Sequence, residues 1–348
     1  MVFPSRGSHA RNLFSFGAAI FAGLCWSGAP VAAQTKYPLT VKNCGVSVTF
    51  ERAPKKVVSL GQSMTEILFS LGLGDKIAGT AVWFGPVMAP FEAENAKIKR
   101  LADNDPSFES VIAQEPDLVT AQYEWHLGPN GRVGKREQFA DLKIGTYVAP
   151  ADCADKDNSG SGDGVRVKMV TTAPVYQAIR ELAEIFDVKR KGEELVARLQ
   201  RREAEAAASV AAAKAAEVST LFWFSSKEVK GDPFVAGLNG APAYIMSKIG
   251  AQNVIKVNDE WPTTSWESIA ATDPAVIVIA RMDRRRFPAD DVEVKLKFLE
   301  TDPVASKLSA VRNKRIVVMD AQAMNPSIRT IDGVEVFAKS LKMFGMVD

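Results

Sequence analysis

Apolar and polar positions along the chain alternate between short buried strands and amphipathic helices. Leu39 to Phe50 alternates around Val41, Val46 and Val48, as strands with one covered face do. Lys56 to Leu60 reads as a buried strand, broken by Gly61. Ser63-Met64-Thr65-Glu66 has the spacing of a capping box, with Ser63 accepting from the helix start and Glu66 reaching back. That helix ends at Gly72, and Lys76 to Val82 is the next strand. Strand, helix and strand at this spacing form the unit of a parallel α/β sheet.

An internal echo carries more information. Phe108-Glu109-Ser110-Val111-Ile112-Ala113-Gln114-Glu115-Pro116-Asp117-Leu118-Val119 returns as Trp266-Glu267-Ser268-Ile269-Ala270-Ala271-Thr272-Asp273-Pro274-Ala275-Val276-Ile277. In each copy a serine (Ser107, Ser265) is placed to cap a short helix. An acidic residue and a proline end that helix, and an apolar strand follows. Two lobes of similar build are the natural inference. Glu109 and Glu267 fall in the first helical turn, where a carboxylate favours the helix dipole by about 0.3–1 kcal/mol. Neither stands at the third helical position of a capping box, which leaves room for a role at the surface, one anion per lobe, facing a two-fold-like basic partner.

Between the copies, Val175 to about Ala216 is the longest helical stretch. Ile179, Leu182, Ala183, Ile185 and Phe186 repeat at helical spacing, and the part after Ala204 is rich in alanine and charge. It reads as a stiff spacer between lobes, with no Gly/Ser/Pro linker. Asp155 to Gly164 reads as a mobile surface loop, resembling a calcium loop in composition alone, because the EF-hand spacing of glycine and glutamate is absent.

The first residues set the compartment. Arg6 and Arg11 precede an apolar run, Leu13 to Trp26, and Ser27 to Ala33 is small and uncharged. This is the plan of a secretory signal peptide cleaved near Ala33. A lipoprotein site would use Cys25, but Leu24 is bulky where such sites want a small residue. Cleavage leaves ~315 residues, two domains of ordinary size. Both arginines leave with the leader, so the mature chain is formally neutral, which argues against nucleic acid or an anionic membrane surface as partner. Cys44 and Cys153 are then either one disulfide or two unpaired buried thiols.

Ligands of open α/β sheets bind beyond the carboxyl ends of the strands. The residues there are Trp83 and Phe84, then Tyr123, Trp125 and His126; in the second half, Phe224 and Arg281. Trp261 and Arg329 stand in loops of the second half as further candidates, and Arg284 to Arg286 form a charge run. Aromatic walls with a few cations suit a large, partly flat, anionic or metal-chelating ligand. His126 is the only histidine left after cleavage, too few for a multi-histidine metal site. No hydrolase or nucleotide-binding motif is present, so an exported hydrolase would have to be built on His126. The pattern favours a carrier over an enzyme.

The run Arg52-Ala53-Pro54-Lys55-Lys56-Val57-Val58-Ser59-Leu60, with Thr65-Glu66-Ile67-Leu68 and Leu71-Gly72, resembles the opening of the periplasmic binding proteins that serve ABC importers of ferric siderophores, haem and cobalamin. Both copies of the echo resemble the same family. The resemblance implies an α/β fold of two Rossmann-like lobes joined by a single long rigid helix, with a shallow ligand cleft between them. The corresponding division is a signal peptide over 1–33, an N-terminal lobe over 34–170, a linker helix over 171–195 and a C-terminal lobe over 196–348. It also implies a monomer without cofactor, and salt bridges from Glu109 and Glu267 to arginines of a permease dimer. Haem carriers of the family ligate iron through tyrosine or histidine, roles open to Tyr123 and His126. Siderophore carriers use arginines and aromatics, which Arg281, Trp83 and Trp125 match, so the expected ligand is an iron chelate. The stretch Asp152 to Lys168 is longer than the family's usual connection.

Overall fold

Five parallel strands form the N-terminal sheet: β1 (Val57–Leu60), β2 (Ile77–Ala81), β3 (Arg100–Ala102), β4 (Leu118–Ala121) and β5 (Gly145–Val148), in the order β3-β2-β1-β4-β5. The computed structural model describes residues 34–347 apart from 130, 161 and 211, so the expected signal peptide lies outside the described residues. Every residue of β1 and β4 is buried, which is why these strands read as unbroken apolar runs. An antiparallel hairpin, Leu39–Asn43 with Val46–Phe50, lies against the lobe, and Cys44 is disulfide-bonded to Cys153.

The C-terminal sheet comprises β6 (Ser219–Ser225), β7 (Phe234–Val235), β8 (Gln252–Asn253), β9 (Val276–Arg281) and β10 (Ile316–Asp320). β6 pairs in parallel with β8 and β9, and β9 in turn with β10. The echo occupies equivalent places in the two sheets. Helices α2 (Phe108–Ile112) and α5 (Trp266–Thr272) start at Ser107 and Ser265, whose hydroxyls accept from the Ser110 and Ser268 amides at 3.1 and 3.2 Å. The strand after each helix, β4 or β9, pairs with the first strand of its lobe, β1 or β6.

The long helical stretch between the lobes is not continuous. α3 (Ala173–Ile185) ends where Asp187 takes φ +57°, and a second helix, α4 (Lys189–Ala208), turns back on it, so the break falls within the span 171–195. The reversal buries both apolar faces, and Gly192 permits it: a Cβ there would come within 2.5 Å of the Ala183 Cβ. Leu195, Val196 and Leu199 of α4 enter the N-terminal core, and Ala206 enters the C-terminal one. A second tie accompanies it. The last helix, α6 (Thr330–Met343), puts Ile331 in the first core and Val334, Phe337 and Leu341 in the second. Arg202 of α4 clamps it, donating to Asp332 and Glu335 at 2.6–2.8 Å. Two packed helices crossing between the lobes make the connection rigid.

Candidate functional site

The two sheets direct their carboxyl ends at one another, and the residues following those strands meet across the cleft between the lobes. In the N-terminal lobe the strand order reverses between β1 and β4, where Gly61 and Gln122 stand side by side. Gly61 has φ +119°, and a Cβ on it would lie 2.3 Å from the Gln122 Cβ. Gln122 Oε1 accepts from the Ser63 amide of helix α1 (Gln62–Ser70) at 3.1 Å, while its Nε2 donates across the cleft to Gln322 Oε1 at 3.3 Å. Because α1 starts at Gln62, Ser63 is no N-cap, and the expected capping box is not formed.

Glu66 is turned inward instead. It is fully buried and accepts both Nε (2.9 Å) and Nη2 of Arg329, which stands at the start of α6 in the other lobe. Gln62 Nε2 and the Met88 amide complete its shell at 3.2 Å each. Arg329 also donates to the Pro86 carbonyl at 2.7 Å and to Asp320 at 3.1 Å. Burial pushes the Glu66 carboxyl up, opposed by the Arg329 guanidinium and the other donors. Arg329 is therefore an interlobe tie in this structure and not a free cation for ligand. Glu66 escaped the sequence reading because a glutamate three residues past a serine looks like a capping box; its one signal was its place beside Ile67, Leu68 and Phe69.

Two other expected ligand contacts are withdrawn into the core. Trp83 is 3% exposed; its indole donates to the Thr80 hydroxyl at 2.9 Å, and Arg100 lies over its ring at 4.4 Å. Its neighbour Val82 adopts φ +62°, a strained conformation for a β-branched residue, at the bend leaving β2. His126 is fully buried with Nε2 3.0 Å from Asp105, so neither iron ligation nor a hydrolytic triad has access to its ring. Apolar size drew Trp83 inside, and the Asp105 partner drew in His126.

The remaining candidates stay at the cleft. Tyr123 and Trp125 stack with centroids 4.1 Å apart and planes 6° from parallel, and Phe224 and Trp261 stack at 4.4 Å in the facing lobe. All four rings are half-buried. Phe84 lies under Arg284, whose guanidinium is 4.5 Å from the ring and whose Nε donates to the Trp83 carbonyl at 2.5 Å. Arg281 is exposed at the end of β9, where the register sets it opposite Asp320. Below Phe224 lies a cation that sequence reasoning missed, Lys295. Its fully buried ammonium donates to the Phe224 carbonyl at 2.7 Å, and desolvation lowers its pKa to about 8.

The segment expected to be a mobile loop is a small hairpin, Lys156–Asp157 with Val165–Arg166, fixed to both lobes. The Lys156 side chain is buried, 2.6 Å from Asp152 and 2.7 Å from Asp163, with its ammonium 5.8 Å from the Trp125 ring. Arg166 reaches Glu260 of the other lobe at 3.3 Å, and its carbonyl accepts from Asn239 at 2.8 Å. Asp152 accepts from the Glu124 amide at 2.6 Å; its burial nevertheless raises its pKa to about 6. A cavity of about 440 Å³ beside this hairpin is lined by Cys44, Cys153, Glu124 and Lys156, all from the N-terminal lobe.

Glu109 and Glu267 are exposed in the first turns of α2 and α5, as the echo predicts. Among the described residues, no group of three or more His, Cys, Asp or Glu is arranged to hold a metal ion. The site is thus a cleft of paired aromatics and partnered charges.

The sequence profile of the periplasmic binding protein family matches residues 57–323. An uncharacterized ABC transporter substrate-binding lipoprotein of Bacillus subtilis, YvrC, is 25% identical over 309 residues, covering 88% of this chain and 86% of that protein. The vitamin B12-binding protein of Vibrio parahaemolyticus is 24% identical over 296 residues, 83% of this chain and 90% of that protein. Among solved structures, that of an ABC-type Fe3+-hydroxamate transport system from Saccharomonospora viridis superposes with a TM-score of 0.68 at 25% identity, covering 88% of this chain and 99% of that one. The chain therefore belongs to the periplasmic binding protein family, in its two-lobed, helix-joined class, and is a substrate-binding protein and not an enzyme.

Proposed function

We propose that this protein is exported, its leader removed near Ala33, and that as a monomer it captures a ferric siderophore between its lobes and delivers it to the permease dimer of an ABC importer. The observation that carries the reading is a stacked aromatic pair at the strand ends of each lobe, Tyr123–Trp125 and Phe224–Trp261, with Arg281 exposed at the end of β9. Flat rings on both sides suit a large chelate that presents apolar edges, and a sugar or amino acid would leave them unsatisfied. The S. viridis structure, named for Fe3+-hydroxamate transport, agrees in kind. Exposed Glu109 and Glu267 support docking, one carboxylate per lobe for basic residues of a two-fold permease.

Cobalamin is the second reading, favoured by the vitamin B12-binding relative; haem is a third, disfavoured by the burial of His126. Titrations following tryptophan fluorescence decide among them, because Trp125 and Trp261 stand at the cleft. Quenching by a ferric hydroxamate or catecholate, with none by cyanocobalamin or haem, is the expected result. Quenching by cobalamin or haem alone overturns the siderophore assignment.

A further inference from the structure

We infer that the cleft is charge-compensated, and that it therefore selects a chelate of low net charge over a highly anionic one, with Asp163 and Glu260 as the discriminating residues. The inference rests on the siderophore reading above and narrows it. The sequence alone suggested an anionic or metal-chelating ligand, because Arg281, Arg329 and the run Arg284 to Arg286 accompany the aromatics. The structure gives most of the cations at the cleft an anionic partner. Lys156 is held between Asp152 and Asp163, and Arg166 lies against Glu260. Arg329 is bound by Glu66 and Asp320. Arg281 faces Asp320 at 3.9 Å, and Arg132, 6.0 Å from the Trp125 ring, faces Asp105 at 3.7 Å. Two cations hydrogen-bond uncharged acceptors instead: Arg284 donates to the Trp83 carbonyl and the Asn104 side chain, and Lys295 to the Phe224 and Ala280 carbonyls.

The hairpin Lys156–Asp157 with Val165–Arg166 is the part of the wall that matters most. One strand sits over Trp125 through Lys156, and Arg166, paired with Lys156 on the other strand, reaches Glu260, next to Trp261. It spans from one aromatic pair to the other. The charges brought to that span include Asp152, Asp163 and Glu260 against Lys156 and Arg166, so its field is not positive. Burial first, and then the field of all three carboxylates, push the Tyr123 hydroxyl pKa up, opposed by Arg284. A ferric tris-catecholate carries three negative charges, whereas a ferric tris-hydroxamate carries none. Inside a partly desolvated cleft, like charges several ångströms apart repel strongly, and the repulsion grows with each ligand charge.

The test uses the full mature protein and two probes, a neutral ferric trihydroxamate and a triply anionic ferric tris-catecholate, titrated at low and high salt. The wild type is expected to bind the neutral chelate at least tenfold more tightly, with the gap narrowing as salt rises. Asp163→Asn, Glu260→Gln and their combination remove one or two of the carboxylates, and the ratio of the two affinities is expected to fall at least tenfold in the pair. Asp163 is exposed, so its variant leaves the core untouched should Glu260→Gln fold poorly. A wild-type preference for the catecholate, or an unchanged ratio in the variants, overturns this inference alone. Failure of both chelates to bind overturns the siderophore reading, and this one with it.

Discussion

Arg329→Met removes the cation from the buried interlobe pair and leaves the Glu66 carboxylate without its main partner. Glu66 is wholly out of solvent, and of its four donors two come from Arg329. Breaking such a pair from one side costs about 3–5 kcal/mol, since the remaining charge stays buried. For a chain of this size that lowers the unfolding midpoint by roughly 5–8 °C. Glu66→Gln leaves Arg329 with Asp320 and the Pro86 carbonyl, so its cost is smaller, about 1–2 kcal/mol. The double variant should cost less than the two singles together, with a coupling of at least ~1 kcal/mol. The pH dependence has a definite sign. Without Arg329, burial holds the folded Glu66 pKa above its unfolded value, so the penalty grows as pH rises through that window. The deficit of Arg329→Met is therefore smaller at pH 5 than at pH 8. Urea unfolding of the four proteins at the two pH values measures all of this. A deficit under ~1 kcal/mol, or strict additivity, would refute the idea that this pair ties the lobes.

Three further outcomes are expected. The Cys44–Cys153 disulfide closes a 109-residue separation, and replacing both cysteines by alanine should cost about 3–5 kcal/mol in denaturant unfolding under non-reducing conditions, with no such loss in reducing buffer. Asp152, with its folded pKa raised to about 6, binds a proton more readily folded than unfolded, so between pH 7.5 and 5 the wild type should gain about 1 kcal/mol of stability relative to Asp152→Asn; parallel pH profiles would contradict the assigned burial. Glu109→Ala combined with Glu267→Ala should abolish importer-dependent uptake in cells while ligand quenching of the purified protein persists, and undiminished uptake would refute the docking role.

The local features of this chain were legible because they depend on neighbours in sequence. Buried parallel strands announce themselves as apolar runs, and Ser107 and Ser265 cap their helices in the structure as their spacing requires. The echo was readable for the same reason, and it located the equivalent strands of the two lobes. The division of the helical stretch at Asp187 was less visible, because alanine and charge propagate a helix equally well on either side of a turn whose reason is packing of α3 against α4.

Which candidate side chains remain at the cleft was decided only by partners far away in sequence. Arg329 is separated from Glu66 by 263 residues, and Lys156 and Arg166 are satisfied by carboxylates on their own hairpin and on the opposite lobe. Arg281 and Arg329, read along the chain, suggest cations free to meet a ligand. Folded, most cations at the cleft meet a carboxylate, and Arg284 and Lys295 meet uncharged acceptors, because a charge brought out of water must find a counter-charge or hydrogen-bond acceptors. The sequence thus determined two α/β lobes and the family to which they belong, while tertiary packing decided that Trp83 and His126 are core, that Arg329 is a tie, and that the cleft between the aromatic pairs carries compensated charge.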